Sequence, residues 1–250
     1  LYEVTTADVT VTEEDVQAAY EAQIESDKEN YANDSTYNSA RNAGTTIAWN
    51  PEGYRAVKHV LIKFDDDQSS RYSDLTSQLN NLNEALDAAL NPEPTAEPTA
   101  DATEEPAEEE VVERTAEEIQ ADIDAKKAEL PDLEKAVADA EAACLASVKE
   151  KTDSVYAALE SGTDFDSVMA EYGEDPGMKS EPNKTTGYYV RSDSRIWDSK
   201  FTEGAMALEN VGDYSKEPII SSSGVHIIYY ASDVTPGAVP IESVHDALYA

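Results

Sequence analysis

Two short runs rich in β-branched and aromatic residues constrain this chain most: Arg55-Ala-Val-Lys-His-Val-Leu-Ile-Lys-Phe64 and Gly224-Val-His-Ile-Ile-Tyr-Tyr230. Each reads as a strand, and each carries a histidine, His59 or His226, within its apolar run. A serine-rich turn, Ser221-Ser-Ser-Gly224, introduces the second run. With Glu217-Pro-Ile-Ile220 before that turn, the segment predicts a β-hairpin. Sequence of helical period fills much of the distance between the two histidine strands, so the chain must combine a small sheet with helices.

The helical signals are distinct. Thr12-Glu-Glu-Asp15 ahead of Val16, Ala19 and Tyr20 predicts a capped helix over about Thr12 to Asn30, with acidic residues at the positive end of its dipole. Tyr31 to Gly53 is rich in Asn, Ser, Thr and Gly without a period and is expected to be loop. Leu75, Leu79, Leu82, Leu86 and Ala89 lie on one helical stripe, predicting a helix over about Ser70 to Leu90. The Pro, Thr and Glu segment from about 91 to 115 has no apolar period and is expected to be a disordered acidic linker.

Periodicity resumes at Ala116, with Ile119, Ile123 and Leu130 on one face. Pro131 lacks an amide donor and clashes with the preceding turn, so a kink or break is expected there. Leu133, Val137, Ala140, Cys144, Val148, Val155 and Leu159 continue a stripe to Gly162, a C-cap candidate. The two striped helices predict a helical hairpin over about 69–146 that projects from the globular domain. Beyond it come a capped start at Thr163-Asp-Phe-Asp166, a short strand at Gly187-Tyr-Tyr-Val190 and a short helix from Phe201 to Leu208. The order is strand, helices, strand, helix, two strands.

Charge narrows the partners. With 53 acidic against 18 basic residues and a net charge of −35, the surface repels nucleic-acid phosphates and anionic lipid headgroups. No apolar run approaches the roughly 18 to 20 residues of a membrane span. The start at Leu1 and the stop inside the amphipathic stretch Ile241 to Ala250 suggest a fragment that lacks a signal or anchor segment. Membrane contact is then expected only through that missing anchor. A single cysteine, Cys144, precludes an internal disulfide and reads as a small buried hydrophobe. Asp65-Asp-Asp67 lacks the spacing of a calcium loop and reads as a solvated strand end.

Taken in order, Lys58-His-Val-Leu-Ile62, Gly162-Thr-Asp-Phe-Asp166, Tyr172-Gly-Glu-Asp-Pro176, Thr186-Gly-Tyr-Tyr189, Phe201 to Leu208 and Gly224-Val-His-Ile-Ile228 resemble the parvulin, or PpiC-like, peptidyl-prolyl isomerases. The flanks Val9 to Val16 and Pro240 to Ala247 resemble the helical lobe of PrsA-type and SurA-like extracytoplasmic foldases, here of the Gram-positive kind. The resemblance implies an α+β fold: a four-stranded antiparallel sheet with surrounding helices, over 54–68 and 147–232. The inserted hairpin spans 69–146, and partial helical lobes span 1–50 and 233–250.

The resemblance also assigns roles. His59 and His226 are the paired central histidines; Ser221 and Ser223 are the hydroxyls that hydrogen-bond around them; Asp175 faces the substrate carbonyl. Phe201 floors the proline socket, Ile196 or Trp197 stands where the family usually has a Met, Thr186 stands where a Leu is common, and Tyr189 completes the substrate-binding set. Outside that context a strand histidine is usually a packed core or surface residue, and Asp175 before Pro176 is an ordinary turn residue. His245 lies outside the motifs and reads as surface.

The implied activity is rotation of Xaa-Pro amides in unfolded or partly folded exported polypeptides, without metal, small-molecule cofactor or covalent nucleophile. The implied location is extracytoplasmic, on a membrane anchor or secreted. A non-catalytic holdase that keeps this fold is the alternative, and a docking role for the acidic hairpin is a third reading.

Overall fold

The computed structural model describes residues 11–91 and 115–249. In chain order the elements are α1 (Glu13–Asn30), α2 (Asp34–Asn42), β1 (Trp49–Asn50), β2 (Arg55–Lys63), α3 (Asp66–Leu90), α4 (Ala116–Glu160) and α5 (Phe165–Tyr172). A 3₁₀ turn (Gly177–Lys179) follows, then α6 (Asn183–Thr186), β3 (Tyr188–Val190), α7 (Ser199–Ala207), β4 (Ile219–Ser221), β5 (Gly224–Asp233), β6 (Gly237–Ala238) and α8 (Ile241–Tyr249). The fold is α+β. It divides into two compact units, Leu1–Lys63 with Val148–Ala250, and Phe64–Ser147. The segments 1–50 and 233–250 fall in the same unit as the sheet.

The first unit is organised by a four-stranded antiparallel sheet of order β3-β2-β5-β4. Its two central strands are buried almost from end to end, which is why both read as near-continuous apolar runs. Alternation along β2 sends Val57, His59 and Leu61 to one face and Ala56, Lys58, Val60 and Ile62 to the other. On the first face α7 contacts β3, β4 and β5. Val57, Val190, Phe201, Ala205 and Ile228 form the core there. On the second face Phe165 of α5 stacks on Tyr229 of β5, with ring centroids 4.6 Å apart.

The cap predicted for α1 is present, Thr12 and Asp15 bonding each other's backbone in a capping box. The expected loop from Tyr31 to Gly53 is corrected: it holds α2 and β1. Asn33 caps α2 by accepting from the Ser35 amide, and Tyr37, Asn38 and Arg41 are buried along the helix. Tertiary burial of Tyr37, which packs with Tyr54, Ala56 and Val234, overrides the weak local helix propensity of Asn and Ser. Asp27, fully buried in α1, accepts from the amides of Ala48 (2.6 Å) and Trp49 (3.1 Å) and so holds β1. β1 pairs with β6, and the Tyr20 hydroxyl donates to the Val239 carbonyl.

The second unit is built from α3 and the Ala116–Ser147 stretch of α4. Pro131 does not break α4, which runs unbroken from Ala116 to Glu160. Only one helical hydrogen bond is lost at a proline, and good helix formers such as Ala, Glu, Lys and Leu surround it. The Asp65-Asp-Asp67 run is a helix start, not a strand end: Asp65 accepts from the Gln68 amide and Asp66 and Asp67 occupy the first turn. Tyr72 donates to Glu141, and Cys144 is buried. The linker expected from about 91 to 115 lies outside the described residues apart from its ends.

Candidate functional site

The sheet register brings the two histidines together. Leu61 pairs with His226 and His59 with Ile228, so both imidazoles emerge on the α7 face of adjacent strands, offset by two register positions. Their Nδ1 atoms are 2.9 Å apart and the rings stack at 19°. His59 Nε2 lies 2.7 Å from Asp175 Oδ2, and His226 Nε2 lies 2.7 Å from Ser221 Oγ. Both histidines are buried, at 3% and 7% exposure.

These three hydrogen bonds admit a single proton order when each imidazole carries one proton. Asp175 as a carboxylate must accept, so His59 Nε2 donates and His59 Nδ1 accepts. His226 then donates from Nδ1 and accepts at Nε2 from the Ser221 hydroxyl. The chain of donors runs Ser221, His226, His59, Asp175. A second proton on His59 would reverse the His226 tautomer and turn the Ser221 hydroxyl outward.

Burial acts in opposite senses on Asp175 and His226. Burial opposes ionisation of Asp175, but the His59 bond and charge, the Gly177 amide (2.9 Å) and the Tyr188 hydroxyl (2.8 Å) together hold its carboxyl down at about 2. Burial, reinforced by repulsion from His59 and only partly offset by Asp175, holds His226 down at about 3. Tyr188 is pushed above its ordinary phenol value by burial and by Asp175.

A pocket of about 240 Å³ opens over this cluster, walled by Leu61, Tyr188, Ile196, Trp197 and Phe201, with Asp198 and Ser223 also lining it. The Phe201 ring meets both imidazoles edge-on, at centroid distances of 5.2 Å from His59 and 5.3 Å from His226. Asp198 caps α7, accepting from the amides of Lys200 and Phe201, and so sets the position of that ring. Trp197 stacks against Tyr188 at 4.5 Å, and Ile196 is 40% exposed.

Of the residues expected in the site, His59, Asp175, His226, Ser221, Ser223, Phe201, Trp197 and Ile196 line one pocket. Ser223 differs in detail, since its amide donates to Ser221 Oγ at 3.1 Å and its contact to the histidines is indirect. Two residues lie elsewhere. Thr186 accepts from Arg41 and donates to the Pro182 carbonyl. Tyr189 packs with Tyr37 and under the Arg41 guanidinium.

Tyr188 is the residue that sequence reasoning missed. In the doublet Tyr188-Tyr189 successive side chains take opposite faces, and the pairing of Val57 with Tyr188 decides which ring enters the pocket. Only the folded structure reveals the accommodation: Gly177 leaves room for the Tyr188 hydroxyl, which a Cβ there would overlap.

A larger cavity of about 500 Å³ lies on the other face of β2, around Lys58, Asp166, Met169 and Met178, and shares no residue with the histidine pocket. Among the described residues no cluster of His, Cys, Asp or Glu is placed to hold a metal ion, and no helix is long and apolar enough to cross a membrane.

A buried pair of imidazoles between a carboxylate and a hydroxyl forms a polar, hydrogen-bonded floor beneath an aromatic pocket. Residues 136–232 match the Rotamase family, described as a PPIC-type PPIASE domain. Over that segment the chain is similar to peptidyl-prolyl isomerase domains of the PpiC, or parvulin, type. No curated protein and no solved structure matches the chain significantly. The matched segment contains Asp175, Phe201, Ser221 and His226 but not His59, which reaches the site on β2 from before the second unit.

Proposed function

We propose that this protein is a peptidyl-prolyl cis-trans isomerase whose reaction takes place over the His59–His226 pair. The observation that carries the reading is the Phe201 ring set edge-on to both imidazoles inside the segment that matches the isomerase family. Resonance gives the Xaa-Pro amide a rotational barrier of roughly 18 to 20 kcal/mol and uncatalysed times of tens to hundreds of seconds. No bond forms or breaks, so the pocket needs only to bind the twisted amide better than the planar one.

In this reading the proline ring rests on Phe201 between Tyr188, Trp197 and Leu61. Apolar walls strip water from the amide, which favours the less polar, twisted state. The donor chain ending at Asp175 keeps the floor fixed while the carbonyl swings above it, so no reorganisation is required during rotation. Ile196 and Trp197 stand at the wall that would contact the residue next to proline.

The finer identity, an extracytoplasmic foldase of the PrsA kind acting on exported chains, is supported by the resemblance of the flanking sequences. The contact of α1 with α8 is in keeping with it. Fractionation of the source cells would test the location, and recovery with cytosolic markers would reject it.

Magnetisation exchange between the cis and trans forms of a short Ala-Pro peptide tests the activity. Exchange accelerated by the wild type and lost in Phe201→Ala and Asp175→Ala is expected. Exchange at the buffer rate with folded wild type would reject the enzyme reading.

A further inference from the structure

Arg41 is a buried cation for which the described residues supply no anion. It sits in the last turn of α2 with 9% of its surface exposed. Its Nη2 donates to Thr186 Oγ1 at 2.8 Å, and its guanidinium carbon lies 3.2 Å from the Tyr189 ring centroid. Nη1 is buried with no hydrogen-bond partner, and among the described residues no carboxylate pairs with Arg41. The ionisable groups that face it are the phenols of Tyr189 and Tyr37.

Such a charge is costly to bury, because desolvation is repaid only by a hydrogen-bonded counter-charge. The carbonyl end of α2 and the π face of Tyr189 each offset part of it. Neither gives Nη1 an acceptor. Two other cations of the same unit do find acceptors: Lys58 holds both oxygens of Asp166, and Arg55 Nη1 donates to the carbonyls of Ala205 and Leu208.

Arg41 lines a cavity of about 290 Å³ with Tyr37, Ile47, Asn50, Pro182, Tyr189 and Val239. That volume is near the lower end of small-ligand sites, and its walls join the apolar surface of Ile47, Pro182 and Val239 to polar groups of Arg41, Thr45 and Asn50. None of these residues lines the histidine pocket. We propose that this cavity binds a carboxylate carried on a small apolar or aromatic body, with the carboxylate against Arg41 and the body against Ile47, Pro182 and Val239. The site is independent of the isomerase reading. With a net charge of −35 the remaining surface repels anions, so a bound carboxylate reports on this cavity. The carboxylate has two possible sources, a free small acid or the C-terminus of a polypeptide.

Amide correlation spectra of the full chain titrated with benzoate, benzamide, acetyl-Ala-Phe and its C-terminal amide test the site. Benzoate is expected to shift the Gly44 and Thr45 amides, both at the cavity, with a dissociation constant of about 1 mM or lower. Benzamide should shift neither, and Arg41→Gln should weaken benzoate binding at least tenfold. A matching response to acetyl-Ala-Phe but not to its amide extends the ligand to polypeptide ends; a response to benzoate alone restricts it to free acids. Should Arg41→Gln fail to fold, Ile47→Trp, which fills the cavity and leaves the guanidinium, must abolish the shifts. No shift with benzoate, equal shifts with benzamide, or shifts that survive both variants would overturn the proposal.

Discussion

The Nδ1 atoms of His59 and His226 stand 2.9 Å apart, on strands joined directly in the sheet although one histidine precedes the second unit and the other follows it. The pair is anchored at one end by Asp175 and at the other by Ser221. Its protonation therefore belongs to the folding equilibrium as well as to the site.

Acid should destabilise the protein in two overlapping windows. His226 is held at about 3 against an ordinary value of 6.5, so the unfolded chain binds its proton first and stability falls as pH drops from about 6.5 towards 3. Asp175, held at about 2 against 3.8, adds stability above about 4 that is lost as pH falls towards 2. Both slopes have the same sign. Urea unfolding of the wild type between pH 7 and 4 should show stability falling with acid, and His226→Gln should flatten that slope. An unchanged slope in the variant would reject the assignment.

Tyr188→Phe should move Asp175 specifically. It removes one donor to the carboxylate and retains the ring against Trp197. A bond to a charged acceptor contributes roughly 1.5 kcal/mol or more, so the Asp175 carboxyl should rise by about one pH unit. Carbon-13 titration of that carboxyl reads the shift directly. Gly177→Ala should act in the same direction, since its Cβ displaces the same hydroxyl.

Phe201 serves core and pocket together. At 3% exposure it packs on Val57, Val190, Ala205 and Ile228, so Phe201→Ala should cost about 3 to 5 kcal/mol of stability as well as proline-peptide binding. Phe201→Leu should recover much of that stability while leaving binding impaired. Denaturant melts and peptide titration of the two variants separate these effects, and recovery of both together would contradict a direct contact with substrate.

Pro131 lies inside α4 without ending it. Pro131→Ala restores one helical hydrogen bond and removes a ring clash, so it should stabilise the second unit by up to about 3 kcal/mol. A rise in the urea midpoint monitored by helical circular dichroism is the expected result. A fall would mean that the helix depends on the proline.

Much of the histidine site was legible because its residues sit in local patterns: the β-branched runs around His59 and His226, the serine turn at Ser221, and the short helix from Phe201. Less legible were α2, whose Asn- and Ser-rich sequence is helical because Tyr37 is buried, and the unbroken α4 through Pro131. Thr186 and Tyr189 were expected in the pocket from their place in a motif, yet both turn towards Arg41.

The sequence by itself determined the strands, the capped helices and the acidic character, because period, capping and charge are local properties. Tertiary structure decided which side of each strand faces the pocket. It selected Tyr188 over Tyr189, joined His59 to a segment far along the chain, and left Arg41 buried without a counter-charge. Those outcomes depend on strand register and on packing between distant segments. A one-residue change of register would exchange the two faces of β3 while leaving every local pattern intact.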